Sequence, residues 1–280
     1  MSRQTAGGLE LHWSEIRMLQ DCGEQYRRRY VKGEKIPPGI AILIGIGTHA
    51  AIAADLNRKI ATGELAPQDE IKTVARDVIA EYFADGNFSL SRDERALKAK
   101  RAWRDETIDM AVVLSALHHQ RLAPKIRPIK NGIERSWLVD VPGEGFKLGG
   151  TLDIQERTCV RDTKTAGKTP SRDAADRSDQ LSMYALAVKV LDGKAPKSVR
   201  LDALVKLKTP KAVSLESART DADFRVLLAR VTAAVSAIRA GIFVPANRDY
   251  WKCDERYCGY AATCPYFRGR IQVRTGGGEA

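Results

Sequence analysis

The stretch Gly149–Thr165, GGTLDIQERTCVRDTKT, limits the fold of this chain more than any other, because it reads as a β-hairpin carrying acids at a fixed register. Phe146, Leu148, Leu152 and Ile154 alternate with Lys147, Gly149, Thr151, Asp153 and Gln155, the period-two pattern of a half-buried strand. Glu156, Arg157 and Thr158 break that pattern, and Val160–Lys164 reads as the return strand. A turn centred between Arg157 and Thr158 sets Asp153 directly opposite Asp162. Opposed residues share a face, with Cβ atoms roughly 4.5–5.5 Å apart, and Lys164, two positions on, points the same way. A slip of one residue would send Asp153 to the other face.

Two carboxylates so placed repel unless a cation lies between them. Hard Mg²⁺ or Mn²⁺ takes oxygen ligands and keeps waters that can be activated for attack on phosphorus. A neighbouring ammonium can orient such a water or stabilise charge developing on phosphate. On an exposed strand the same Asp-x-Lys pattern would be an ordinary surface ion pair, so the rest of the chain has to decide.

Lys and Arg number 46 against 35 Asp and Glu, giving a net charge of +11 and a pI near 9.5. That balance favours a polyanionic partner, nucleic acid before an anionic membrane. No apolar run approaches membrane-spanning length and no secretory signal opens the sequence, which predicts a soluble, cytoplasmic protein without membrane partners. The five cysteines are Cys22, Cys159, Cys253, Cys258 and Cys264. An odd number in a reducing compartment points to metal ligation or buried thiols, away from a disulfide framework.

Residues 9–31 read as a helix capped by Ser14, with Ile16, Leu19 and Tyr26 on its apolar side and Arg27, Arg28 and Arg29 after Cys22. Beyond Pro37-Pro38-Gly39, a strongly apolar helix places Ile42, Ile46, His49, Ala53 and Leu56 on one face. His49 suits either a packed core position or a metal ligand. Residues 68–84 and 92–122 read as amphipathic helices, the second buried through Trp103, Ile108, Val112, Val113 and Leu117, with His118 and His119 at the surface. Strands resume at Gly132, where Ile133, Trp137 and Val139 have core character and Glu134 faces the other way. Asp173–Leu191 reads as a helix with Gln180 and Tyr184 one turn apart, and strands over 199–208 and 211–217 precede a helix over 221–240. The tail 269–280, with Gly276-Gly277-Gly278, reads as disordered. Helices, three strands, helix, two strands and helix together predict an α/β or α+β sheet with flanking helices.

Cys253, Cys258 and Cys264 lie within twelve residues and lack one ligand for a four-thiolate site. Cys22 is the obvious fourth, since Cys159 faces away from Asp162 on its strand and reads as core. Four thiolates suit an iron–sulfur cluster or structural zinc, and the irregular spacing also leaves unliganded thiols open.

In order, the chain carries Cys22, Gly47-Thr48-His49, Gly150-Thr151-Leu152-Asp153, Asp162-Thr163-Lys164-Thr165, Gln180-Leu181-Ser182-Met183-Tyr184 and the three-cysteine group. This series resembles the RecB-like branch of the PD-(D/E)XK nucleases, in particular the stand-alone iron–sulfur exonucleases of CRISPR-associated and phage type, over roughly residues 10–268. The resemblance implies a restriction-endonuclease-like mixed central sheet flanked by helices. The chain then divides into an N-terminal helical part over 1–59, a helical insertion over 60–125 read from its amphipathic pattern and least characteristic of the resemblance, a core over 126–245 and a cysteine segment over 246–268.

By the same resemblance, His49, Asp153, Asp162 and the carbonyl of Thr163 hold Mg²⁺ or Mn²⁺. Lys164 assists the attacking water, Gln180 and Tyr184 contact DNA or order the site, and Glu134 is an accessory. Cys22, Cys253, Cys258 and Cys264 hold a 4Fe-4S cluster. The second acid is Asp where the superfamily often has Glu, and Thr163 replaces a bulkier residue. The implied activity is a DNA exonuclease, gripping the backbone without reading sequence and relying on a helicase or recombination partner in trans for unwinding. Two other classes fit less of the pattern: an inactive DNA-binding subunit of a recombination complex, and a zinc or redox regulatory module.

Overall fold

The computed structural model describes residues 4–5, 8–247 and 249–267. The chain opens with strands β1 (Gln4–Thr5) and β2 (Gly8–His12), then helices α1 (Trp13–Asp21) and α2 (Gly23–Tyr26) and a π-helical turn over Arg27–Val31. Helices α3 (Ile40–Thr62), α4 (Gln68–Ala84), α5 (Arg92–Leu97) and α6 (Lys100–Arg121) precede three strands, β3 (Pro128–Val141), β4 (Phe146–Glu156) and β5 (Cys159–Ala166). Helix α7 (Asp179–Leu191), strands β6 (Ser198–Val205) and β7 (Lys211–Ser217) and helix α8 (Asp221–Arg239) follow. The result is the expected mixed sheet flanked by helices.

One strand, β4, organises the sheet. It runs antiparallel to β3 along one edge, while its other edge is divided between two partners. The first part pairs in parallel with β2, from Leu9↔Phe146 to His12↔Gly149. The last part pairs antiparallel with β5 at Ile154↔Arg161 and Gln155↔Val160. Among the described residues Gly150–Asp153 therefore has no ladder partner on that edge, and the sheet forks there. Strand β5 continues in parallel with β6, and β6 runs antiparallel to β7. The β4–β5 register is the one that sets Asp153 against Asp162, although the ladder stops one pair earlier.

Alternation along β6 sorts the two layers. Val199 joins the apolar cluster of Leu11, Ile16, Leu181, Val188, Leu227 and Val231, so α1, α7 and α8 cover one face. Leu204 points the other way and meets Ile44, Ile52, Leu56 and Leu114 of α3 and α6. A further cluster packs α3 against α4 and α6 through Leu43, Ile71, Ile79 and Ala111. Gly47 allows this approach, because a Cβ there would lie 2.7 Å from Ile79 Cδ1 and 3.0 Å from the Ala75 carbonyl oxygen.

Several local expectations need correction. Residues 9–31 do not form one helix capped by Ser14: Gly8–His12 is a strand, and helix α1 starts after His12. Leu9 and Leu11 alternate into the core, a short period-two signal masked by the helical pattern behind it. The buried side of α3 carries Leu43, Ile44, Ala51, Ile52 and Leu56, whereas Ile42 is 59% exposed. At 23 residues this helix is long and apolar enough, by length and composition, to cross a membrane, contrary to the sequence expectation. Here it is a core helix, with α4, α6 and the sheet around it.

The helix expected over 92–122 is two, α5 and α6, and Val113 is 44% exposed. His118 is fully buried with neither ring nitrogen hydrogen-bonded, and burial pushes its pKa down to about 3, so the ring is neutral. His119 Nδ1 lies 3.0 Å from Oδ2 of buried Asp55. Neither histidine is a surface residue, because α6 turns this end of its helix onto α3 and the sheet. Helix α7 starts at Asp179, not Asp173, capped by the Ser178 hydroxyl, which accepts from Leu181 N–H. The tail expected to be disordered lies outside the described residues.

Candidate functional site

The fork in the sheet is where the candidate residues meet. Beyond Arg161, β5 leaves β4, and the Asp153 side chain takes over the pairing: its Oδ2 accepts the Thr163 backbone N–H at 2.8 Å. Its Oδ1 accepts the Tyr184 hydroxyl at 3.1 Å, and Tyr184 in turn accepts from Gln180 Nε2 at 2.9 Å. Burial first, then the charges of Asp153 and Asp162, raise the Tyr184 pKa, so the phenol keeps its proton and acts as a donor.

From the opposite layer, α3 delivers His49. Its Nε2 lies 2.9 Å from the Thr163 carbonyl, which can only accept, so Nε2 carries the proton. The other nitrogen, Nδ1, faces two carboxylates, Glu134 Oε1 at 3.6 Å and Asp153 Oδ2 at 3.7 Å. Burial opposes charge on this ring, but the neighbouring carboxylates of Glu134 and Asp153 outweigh it, and its pKa is raised. Asp153 is thus reached by α3 from one face and α7 from the other.

Glu134 joins this group through an unusual backbone. In β3 the ladder runs Ile133↔Ile154 and Arg135↔Leu152, and a register shift precedes it between Pro128 and Ile133. Within the shift Asn131 has φ 59°, and just after it Glu134 has φ 47°, both in the left-handed region that non-glycine residues seldom occupy. Glu134 is exposed, as the strand pattern predicts, and its carboxylate nevertheless lies beside His49, the accessory position that the resemblance implies.

Asp162 is 1% exposed, and its Oδ1 accepts Lys164 Nζ at 2.7 Å. Burial pushes its pKa up to about 6, opposed by Lys164 and aided by the nearby charge of Asp153. The Lys164 side chain is 43% exposed, so its head reaches solvent while it holds Asp162.

Among the described residues, one group of three or more His, Cys, Asp and Glu ligand atoms lies within 4.8 Å of one another: His49, Glu134 and Asp153. One imidazole and two carboxylates make an oxygen-rich set that fits a hard divalent ion. Asp162 stands beside this trio, paired with Lys164, and the Thr163 carbonyl serves as the hydrogen-bond partner that fixes the His49 ring.

A second constellation lies at the chain ends. Cys22, Cys253, Cys258 and Cys264 line a common cavity with Glu24, Arg28 and Tyr260. None of them is in a disulfide. Burial raises the Cys258 pKa, and the neighbouring Cys22, Cys264 and Cys253 raise it further, the pattern expected of thiols that cannot ionise together without a cation. The chain ends are joined beside it. Gly23 N–H donates to the Val244 carbonyl at 2.7 Å, and a Cβ on Gly23 would lie 2.5 Å from Val244 N. Cys159 is buried apart from this group, on β5.

Residues 11–265 match the family profile of the PD-(D/E)XK nuclease superfamily. No curated protein matches the chain. Among solved structures, a protein from Eubacterium rectale assigned as an exonuclease superposes with a TM-score of 0.54 at 13% identity, covering 87% of this chain and 86% of that one. At that identity the likeness speaks to the fold.

Proposed function

The chain belongs to the PD-(D/E)XK nuclease superfamily, and from that premise we propose that it is a metal-dependent deoxyribonuclease, an exonuclease that hydrolyses phosphodiester bonds during DNA recombination, repair or end processing. The observation that carries this reading is the meeting of His49, Glu134 and Asp153 at the sheet fork, with Asp162–Lys164 beside them. Mg²⁺ or Mn²⁺ at such a donor set supplies Lewis acidity toward a phosphoryl oxygen and lowers the pKa of water.

The chain's own residues do the rest. Nδ1 of His49 and the carboxylates of Glu134 and Asp153 would hold the ion, with the Asp162 carboxylate, paired to Lys164, beside them. Thr163 holds the imidazole through its carbonyl and the Asp153 carboxylate through its N–H, so one residue's backbone sets both ligands. Tyr184, kept protonated and oriented by Gln180, fixes the second oxygen of Asp153. Lys164 orients the attacking water or stabilises charge building on the phosphate. With a net charge of +11, DNA is gripped through its backbone without sequence reading, and unwinding falls to a partner protein.

Cys22, Cys253, Cys258 and Cys264 would hold a 4Fe-4S cluster in a structural role. What supports this reading is that the four thiols line one cavity. Free thiols throughout suit a reducing, cytoplasmic compartment.

The test is digestion of end-labelled linear and closed circular DNA, single- and double-stranded, with Mg²⁺, Mn²⁺ or chelator. Metal-dependent release of nucleotides from linear DNA, lost about 10²–10³-fold or more in Asp153→Ala, is the expected result. Undiminished cleavage by a clean Asp153→Ala preparation removes the mechanism, and tight DNA binding without any cleavage identifies an inactive clamp.

A further inference from the structure

Away from the sheet fork, a cavity of about 580 Å³ opens at the far end of α3, lined by Lys59, Ile60, Gly63 and Leu65, by Pro124 and Arg127 from the segment before β3, and by Pro128 and Lys130 from its start. Three of these eight residues are cations and none is an acid, while Ile60, Leu65 and the two prolines supply apolar walls. Burial and then the proximity of Arg127 lower the Lys59 pKa, against the opposing pull of Asp55 and Glu156 behind the lining.

The cations are also held in place. Lys59 Nζ donates to the carbonyls of Ala123 and Ile126 at 2.7 Å and of Pro124 at 3.2 Å. Arg127 gives Nη1 to the carbonyls of Pro124 and Ile126. The nearby acid, Glu156, is turned inward: it accepts the Arg127 backbone N–H at 2.7 Å and Arg161 Nε at 2.6 Å. Lys130 forms no ion pair among the described residues.

We propose that this cavity holds a nucleotide phosphate of the DNA strand being cut, with Arg127 and Lys130 as its contacts and the apolar walls against the sugar or base. The proposal rests on the deoxyribonuclease reading and adds a place for the strand beyond the cleavage site. Both elements that frame the cavity lead to the fork. Lys59 is ten residues from His49 on α3, about 15 Å along the helix axis. Lys130 is four residues from Glu134 on β3, at most roughly 13 Å away. The rise along a duplex axis is about 3.4 Å per nucleotide, and phosphates along a strand lie farther apart than that, so the span is a few nucleotides at most. A phosphate anchored there fixes how far from the held point the strand is cut.

The experiment compares the full-length protein with Lys130→Ala, Arg127→Ala and the double variant. It measures affinity for DNA across a salt series in Ca²⁺, then cleavage in Mg²⁺ and product length, on strands ending in phosphate or in hydroxyl. Lys130→Ala removes no hydrogen bond seen in the fold, and thermal midpoints control for the rest. The double variant is expected to weaken binding about tenfold or more and to raise KM with little change in kcat. The slope of log K against log salt should fall by roughly 0.9 for each phosphate that is no longer neutralised. A loss confined to phosphate-ended strands assigns the cavity to a strand end, and an equal loss on both assigns it to an internal phosphate. Unchanged affinity, salt slope and product length in a folded double variant, beside a wild type that binds and cuts, overturns the cavity proposal alone. A wild type that neither binds nor cuts DNA overturns it together with the deoxyribonuclease reading.

Discussion

The Tyr184 hydroxyl donates to Oδ1 of Asp153 at 3.1 Å, joining helix α7 to strand β4 at the carboxylate that α3 approaches from the other layer. The phenol leaves this acid one oxygen edge for a cation. Tyr184→Phe should therefore keep the fold, at a stability cost of about 1 kcal/mol, while lowering metal affinity and kcat by roughly tenfold. Calorimetric titration with Mn²⁺ and steady-state cleavage check both. An effect on stability alone would mean the tyrosine is only packing.

Glu134 combines a place in the proposed metal site with a left-handed backbone, which gives its substitutions opposite signs. At φ 47° a glycine fits without penalty, so Glu134→Gly should raise the stability of the metal-free protein by about 1 kcal/mol. The same change removes a carboxylate facing His49 Nδ1, so Mn²⁺ affinity should fall about tenfold or more. Glu134→Gln should weaken the metal without the gain in stability. Thermal melts and metal titrations on the two variants separate the effects.

The raised pKa of Asp162 makes metal-free stability depend on pH in a direction unusual for an aspartate. Its folded value of about 6 lies above the unfolded value of 3.8, so between these the folded state keeps a proton that the unfolded chain has lost. The contribution of Asp162 to stability is then greatest below about pH 4 and declines as pH rises toward about 6, by roughly 1–3 kcal/mol. Asp162→Asn should flatten this segment of the profile and stabilise the metal-free protein at neutral pH. Mg²⁺ should remove the decline in the unsubstituted protein, since it favours the ionised carboxylate. Chemical denaturation at a series of pH values, with and without Mg²⁺, measures all three.

The cysteines divide four to one. Anaerobically purified protein should show broad visible absorption, with iron and sulfide near four per chain. Cys22→Ser should lose that absorption and destabilise the protein, because it uncouples α2 from the segment that begins near Val244. Cys159→Ser should keep the colour. A colourless protein with one zinc per chain would replace the cluster with a structural zinc site.

Turn chemistry and alternation made the β4–β5 register legible: a centre between Arg157 and Thr158 was enough to place Asp153 against Asp162. Helical spacing likewise brought Gln180 and Tyr184 together. What escaped the sequence depended on backbone reversals and on packing from distant segments. Nothing in the side-chain pattern of GIERSW marks Glu134 as left-handed; the neighbouring Asn131-Gly132 was the one available hint of a bulge. His118 and His119 look polar in isolation, and only the docking of α6 on α3 buries the first and half-buries the second against Asp55. The nitrogen that His49 presents was beyond reach too, since it depends on which carbonyl its other nitrogen meets.

The fork beside Asp153 has a boundary set far from it in sequence. Strand β2 ends at His12, opposite Gly149, where Glu15 Oε2 accepts the His12 N–H at 3.2 Å and the chain coils into α1. Four more extended residues in that register would zip the free edge of β4 shut as far as Asp153. A buried glutamate in the first helix thus acts as a doorstop, and the aperture at the centre of the molecule is as wide as a five-residue strand is short.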